Sequence, residues 1–281
     1  MANTIGYGQG AVNNTNGFGK APTNNTIDFG EVCADSWSPE TNLTGTGGSS
    51  FSNTKSIELD GMDAFVSMGN TLNLANDGTD AFSISCWLKT TDLNTQILAG
   101  KQINAAPYNG YNFTISASAI RLFLGTTTSN ARLQGTTATI PSLTDGNWHH
   151  LALTYDGSQD ISGFTIYYDN TTPAITTTYN NTPTSVSNSA EFILGARGTT
   201  SSYAGLLNGS LDEVAYFNSE LSASDVSTIY GTGVPSDIST ISGLVSWWRF
   251  EGTGLTATDS GSGGNDGLLD NTVVRSSDVP T

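Results

Sequence analysis

Phe82-Ser83-Ile84-Ser85-Cys86-Trp87-Leu88-Lys89 alternates apolar and polar side chains over most of its length. Successive side chains of a strand point to opposite faces, so Phe82, Ile84, Cys86 and Leu88 share one face of this segment. Outward from it, similar short segments recur between Gly, Asn and Asp turns, at 56–59, 64–68, 96–100, 111–115, 120–125, 149–155, 164–168, 191–195 and 211–217. Many short strands bounded by such turns indicate an antiparallel sandwich or barrel. One helix is predicted after Leu221, with Ser222 as N-cap, Asp225 at N3 and Gly231 as the stop.

Composition agrees with an all-β reading. The 281 residues hold 9 Lys+Arg and 25 Asp+Glu, for a formal charge of −16, and only 12% are charged. Asn, Thr, Ser and Gly supply the polarity, as suits turns and the solvent faces of strands. Duplex binding needs clustered cations to displace counterions, so the acidity argues against nucleic acid and against acidic membrane surfaces. No run approaches the ~18 apolar residues of a spanning helix. The first residues, Met1-Ala2-Asn3-Thr4-Ile5-Gly6, carry no basic segment and no apolar stretch, and no secretory signal is expected. Cys33 and Cys86 could pair, but the expectation is two free thiols, with Cys86 acting as a small hydrophobe in its strand.

The first thirty residues repeat with a period of eleven. Gly6-Tyr7-Gly8 recurs as Gly17-Phe18-Gly19 and Asp28-Phe29-Gly30, and Asn13-Asn14-Thr15 as Asn24-Asn25-Thr26. One aromatic per eleven residues cannot build a core, so the unit needs another surface or identical copies to become ordered. Residues 1–31 are therefore read as an extended docking arm that uses Tyr7, Phe18 and Phe29, against the plainer alternative of a disordered Gly/Asn-rich tail. Residues 32–50, with Pro39 and Gly45-Thr46-Gly47-Gly48, read as a linker, and 51–281 as the sandwich.

Five blocks in order carry a resemblance. Leu59-Asp60-Gly61-Met62-Asp63-Ala64-Phe65-Val66, the strand at Phe82, Asp145-Gly146-Asn147-Trp148-His149-His150-Leu151-Ala152-Leu153-Thr154-Tyr155-Asp156-Gly157, Gly209-Ser210-Leu211-Asp212-Glu213-Val214-Ala215-Tyr216-Phe217, and Leu221-Ser222 together resemble LamG-like domains of the concanavalin A-like lectin/glucanase kind. The resemblance covers about residues 56–231. It implies a two-sheet antiparallel jelly-roll sandwich, often a bound calcium, and recognition of carbohydrate or protein. Leu244-Val245-Ser246-Trp247-Trp248-Arg249-Phe250, with the Thr258 to Gly267 loop, resembles the family's opening strand and loop but comes last here. The domain is thus circularly permuted, or a second copy has been cut short. If permuted, 244–250 should lie beside 56–59, with Trp248 pointing inward and Trp247 outward. The N-terminal arm resembles leaders of bacteriophage structural proteins, marine ones especially.

No nucleophile motif accompanies the two histidines, His149 and His150, which read as core residues beside a buried Trp148. Glycoside hydrolysis needs two carboxyls facing one bond across ~5–9.5 Å. Asp212 and Glu213 are adjacent, so regular alternation would set them on opposite faces, and no enzyme is expected. Candidate calcium ligands are Asp60, Asp63, Asp212, Asp259 and Asp266. Tyr108, Tyr111, Tyr168 and Tyr203 are candidate ligand-binding aromatics, with only one of Tyr167 and Tyr168 facing out. The leading expectation is a virion structural protein, a capsid decoration or tail or fibre component made in the host cytoplasm and present in many copies. Its arm would dock to other virion proteins, and its sandwich would face a host surface glycan. The alternative is a bacterial surface adhesin or carbohydrate-binding module.

Overall fold

Strand Phe82–Lys89 is buried at every position but the last. One face meets the inter-sheet core; the other is covered by a helix and its neighbouring loops. The computed structural model describes residues 51–199, 202–270 and 272–281. The arm residues Tyr7, Phe18 and Phe29 and the linker at 32–50 lie outside them.

The first sheet holds β1 (Ser56–Asp60), β3 (Phe82–Lys89), β8 (Trp148–Tyr155), β9 (Phe164–Tyr168), β14 (Asn208–Phe217), β15 (Leu244–Trp248) and β18 (Val274–Ser276). Its order is β18-β1-β14-β3-β8-β9, with β15 also on β14. The second sheet holds β2 (Val66–Ser67), β4 (Gln96–Gln102), β5 (Gly110–Ser116), β6 (Ala119–Gly125), β7 (Arg132–Thr137), β10 (Ile175–Asn180), β11 (Ile193–Leu194), β16 (Thr256–Ala257) and β17 (Gly267–Leu269). Its order is β10-β7-β6-β5-β4-β11-β2-β17-β16. Strands β12 (Arg197–Thr199) and β13 (Ser202–Ala204) form a separate ribbon. Every pairing is antiparallel. Among the described residues the architecture is all-β, a two-sheet antiparallel sandwich with one α-helix, α1 (Ala223–Tyr230).

Alternation builds the core. Phe82, Ile84, Cys86 and Leu88 of β3 meet Tyr111, Phe113 and Ile115 of β5 and Ile120, Leu122 and Leu124 of β6 in one cluster. Each fully buried side chain of this size contributes roughly 1.5–3 kcal/mol relative to exposure. The helix begins at Ser222, whose hydroxyl accepts from Asp225 N–H while the Asp225 carboxylate accepts from Ser222 N–H. It ends at Gly231, where φ is 61°. Val226 and Ile229 seat it on the outer face of the first sheet with Ala152, Tyr167, Ala215, Phe217 and Trp247.

The segment 244–250 does not lie beside β1. Its strand pairs with β14, Val214 opposite Trp248 and Ala215 opposite Trp247. β1 pairs with the same strand further along, Ile57 opposite Leu211 and Asp60 opposite Asn208. Since β3 occupies the other edge of β14, β15 and β1 lie end to end on a single edge, the end of one running toward the start of the other. Glu251 joins them, accepting from the amides of Thr54 and Lys55 at 2.6 and 3.2 Å. Trp248 points into the core and Trp247 into the outer cluster.

Strands β7 and β10 were not expected from sequence. β10 is the sheet's edge and is largely exposed, so no apolar alternation marks it. β7 places Gly135 against Ile175, where a side chain would clash. The expected strands 64–68 and 191–195 shrink to two-residue pairings.

Candidate functional site

Neither histidine makes catalytic machinery. The His150 ring nitrogen Nε2 lies 2.8 Å from Ser85 Oγ, a nucleophile–base pair in outline. Both residues are fully buried under α1 and its loops, and His150 Nδ1 has no partner, so no third group orients the ring. Burial pushes His150 down to about 4, which leaves it neutral. His149 is held between Asp169 at 2.7 Å and Asp145 at 3.2 Å, with Tyr168 Oη at 2.8 Å. Trp148 is half-buried rather than buried, because its indole reaches out to Asp278 at 3.1 Å. Cys86 is a free thiol that burial pushes up to about 12, which makes it inert.

The expectation that Asp212 and Glu213 point to opposite faces fails. The β14 register shifts between Asp212 and Ala215, and Glu213 takes φ 47°. This bulge turns both carboxyls to the outer face. Asp212 accepts from Asn53 Nδ2 at 2.8 Å and Glu213 from Trp247 Nε1 at 2.5 Å, with Arg249 Nε 3.4 Å away. Burial pushes both carboxyls up, and for Asp212 the Glu213 charge adds to it. The pair lies sealed at the seam between β15 and β1, with its oxygens occupied by protein donors, so it has no room for a sugar.

The five calcium candidates are not gathered. Asp60 accepts the amides of Met62, Asp63 and Ala64, which orders its own turn, while Asp63 is exposed. Asp259 accepts the amides of Trp247, Gly261 and Asn265, and Asp266 accepts that of Asp259. Asp212 is buried on the far face. Among the described residues no three His, Cys, Asp or Glu side chains converge as metal ligands, and these five do not fit a calcium ion.

Of the candidate tyrosines only Tyr108 lines a cavity on the outward face of the second sheet. Tyr111 points into the core and donates to Leu72 O at 2.6 Å. Tyr168 is also buried, donating to Ser142 Oγ at 2.7 Å, and Tyr167 is buried on the opposite face, so neither faces out. Tyr203 packs on Phe65 with ring centroids 4.1 Å apart and the planes tilted by 35°, and donates to Glu191 at 3.3 Å.

The cavity beside Tyr108 holds about 200 Å³. Its floor is made by outward positions of β4 to β7. Asn112 lies opposite Phe123, and Phe123 opposite Gln134; the next row sets Thr114 opposite Arg121. Gly100 lies opposite Asn112, and a Cβ there would meet Asn112 Cβ at 2.8 Å. The floor's amides satisfy one another. Gln102 donates to Tyr108 O at 3.1 Å and accepts from Asn112 Nδ2 at 2.6 Å, and Asn112 accepts from Thr114 Oγ1 at 2.7 Å. Such a completed network holds its shape without a ligand. Arg197 of β12 forms one wall, its Nη1 3.2 Å from Gln102 Oε1 and its guanidinium 5.6 Å from the Tyr108 ring centroid. Its Nε is buried with no acceptor. Burial, then the neighbouring Arg121 charge, holds the Arg197 guanidinium below its ordinary range. None of the residues lining the cavity is Asp or Glu.

Residues 60–227 match the Laminin_G_3 family model of the concanavalin A-like lectin/glucanases superfamily, over more than half the chain. The chain belongs to this superfamily. Its lectin-like sandwich is also similar to solved structures. A candidate carbohydrate-binding protein from Bacteroides ovatus shares 15% identity at a TM-score of 0.55, over 82% of this chain and 62% of that one. A heptameric SAP-like pentraxin from Limulus polyphemus shares 14% identity at a TM-score of 0.54, over 79% of this chain and 94% of that one. At these identities the likeness is one of fold. No curated protein matches. Strands β15 to β18 lie beyond the family match.

Sequence reading missed Gln102, Asn112, Thr114, Arg121, Phe123, Gln134 and Arg197. The signal was present in part: Asn112, Thr114, Arg121 and Phe123 are the polar or outward alternate positions of two segments, 111–115 and 120–125, that were read as strands. Nothing local marks Arg197, which comes from a separate ribbon.

Proposed function

We propose that the chain is a non-catalytic glycan-binding protein of a bacteriophage particle, which holds its lectin-like sandwich at the virion surface as a capsid decoration or a tail or fibre component. The observation that carries the binding half is the groove beside Tyr108. It offers an aromatic face at Phe123 among fixed amide and hydroxyl groups, the mixture that small polar ligands with apolar faces need. Superfamily membership and the fold likeness to a candidate carbohydrate-binding protein support this reading. The attachment half rests on the eleven-residue repeat, whose aromatics Tyr7, Phe18 and Phe29 need an external surface; residues 1–31 dock to other virion proteins, in many copies. The fold likeness also favours a second reading, a bacterial surface adhesin or carbohydrate-binding module.

Glycan-array binding by the full chain tests the first half. Binding is expected, with Phe123→Ala removing it at an unchanged melting temperature. Binding that survives this change, or none at all, removes the groove from the proposal. Deletion of residues 1–31 tests the second half: incorporation into particles should be lost while the sandwich stays folded. A chain found on bacterial cells and absent from purified particles would favour the adhesin reading. Turnover of a β-glucan that disappears in both Asp212→Asn and Glu213→Gln would overturn the non-catalytic assignment.

A further inference from the structure

We infer that the ligand of the Tyr108 groove is anionic, presenting a carboxylate or sulfate group to Arg121 and Arg197. This rests on the groove's reading as a glycan site and adds the charge class of the sugar. The chain has nine Lys and Arg among 281 residues, yet two of them end in one small cavity that no carboxylate lines. A third, Arg132 of β7, does not line the cavity but donates from Nε to Gln134, which does, at 3.0 Å.

Most other cations of the described residues are engaged, Lys55 being the exception. Lys89 meets Asp278, Arg249 meets Glu213, Lys101 donates to Asn70 and the Ala190 carbonyl, and Arg275 donates to three carbonyls. Among the described residues, Arg121 has no ion pair and no side-chain hydrogen bond, and Arg197 has only a neutral amide and a ring face. A guanidinium does not shed its proton, so partial burial without an acceptor is unfavourable until an anion arrives. Its planar fork fits the paired oxygens of a carboxylate or sulfate. The formal charge of −16 does not forbid this. Exposed charges beyond about 8 Å are largely screened at physiological ionic strength, so the nearby arginines decide the local field.

The test is calorimetry on the full chain at physiological salt, with three oligosaccharides of equal length: oligogalacturonate, a sulfated galactose oligomer and a neutral galactose oligomer. An anionic oligomer should bind at least about tenfold more tightly than the neutral one. Arg121→Gln and Arg197→Gln should each shrink that ratio toward one. Should the half-buried Arg197 variant fail to fold, Arg121→Gln decides alone. Preference for only one anionic oligomer supports the inference and identifies the group. Equal affinity for neutral and anionic oligomers overturns it while leaving the glycan reading intact. An anionic preference that survives these substitutions also overturns it, and no binding to any of the three overturns both readings.

Discussion

The two outer faces of this sandwich carry polar side chains to opposite ends. On the first sheet, Ser83, Ser85, Trp87, His150 and Asp212 point away from the inter-sheet core and are still buried: Tyr230 of α1 packs on Trp87 and His150, the turn at Ser219 and Leu221 meets Ser83, and Asn53 meets Asp212. Their polar atoms are mostly used up inside: Ser83 donates to Ser219 O and accepts from Leu221 N–H, and Asp212 accepts from Asn53. On the second sheet, Asn112, Thr114, Arg121 and Phe123 occupy equivalent outward positions and line an open groove. A covered face has only protein groups to complete its hydrogen bonds, and here Trp87 Nε1 and His150 Nδ1 go without, whereas an open one can leave donors for a ligand. A Ser–His contact and a carboxyl pair on the covered face are therefore structural, however catalytic they look.

Four changes sharpen or break that contrast. The largest effect should come from ending the chain after Gly243, which removes β15 and β18 from the first sheet and β16 and β17 from the second. Cooperative thermal unfolding should vanish; an unchanged melting temperature would make the C-terminal segment a mere appendage. Trp248→Ala should cost ~3–5 kcal/mol in denaturant unfolding, since Trp248 is fully buried and donates to Asn265 O at 2.8 Å. A loss below about 1 kcal/mol, the scale of a surface change, would show that β15 does not help close the core.

The third change concerns the sealed carboxyls. Burial chiefly raises Asp212 from 3.8 to about 8, and Glu213 from 4.5 to about 7. The folded state thus keeps protons that the unfolded chain releases. The stability this gives is fully present below the unfolded values near 4 and is lost as pH rises through about 7 and 8. The melting temperature should fall between pH 5 and pH 9, and Asp212→Asn should flatten the fall; an equal slope in both proteins would mean the pair is open to water. The smallest effect on stability should be that of Phe123→Ala on the open face, within about 0.5 kcal/mol. A larger loss would show that Phe123 is part of the packed framework.

Much of the fold was legible locally. The boundaries of β3 and β9 match the alternating runs, and α1 matches its capping residues, because a strand's period and a helix's caps are written in neighbouring side chains. Of the site, only Tyr108 was read. The tyrosines at 111 and 168 were chosen for residue type, but Tyr111 sits at an inward position and Tyr168 is claimed by Ser142 and His149. Arg197 reaches the groove through long-range packing that no local pattern encodes.

The sequence by itself determined that this is an antiparallel sandwich with one capped helix, since alternation, turns and capping act between residues a few positions apart. It also determined that Trp248 and Trp247 part to opposite faces once 244–248 is a strand. Only the tertiary structure decided that β15 lies end to end with β1, and that a bulge brings Asp212 and Glu213 to one face. It alone decided which outer face the described residues cover and which they leave open. Those outcomes depend on which distant segments compete for one strand edge or one sheet face, and that competition is settled by packing across the whole domain.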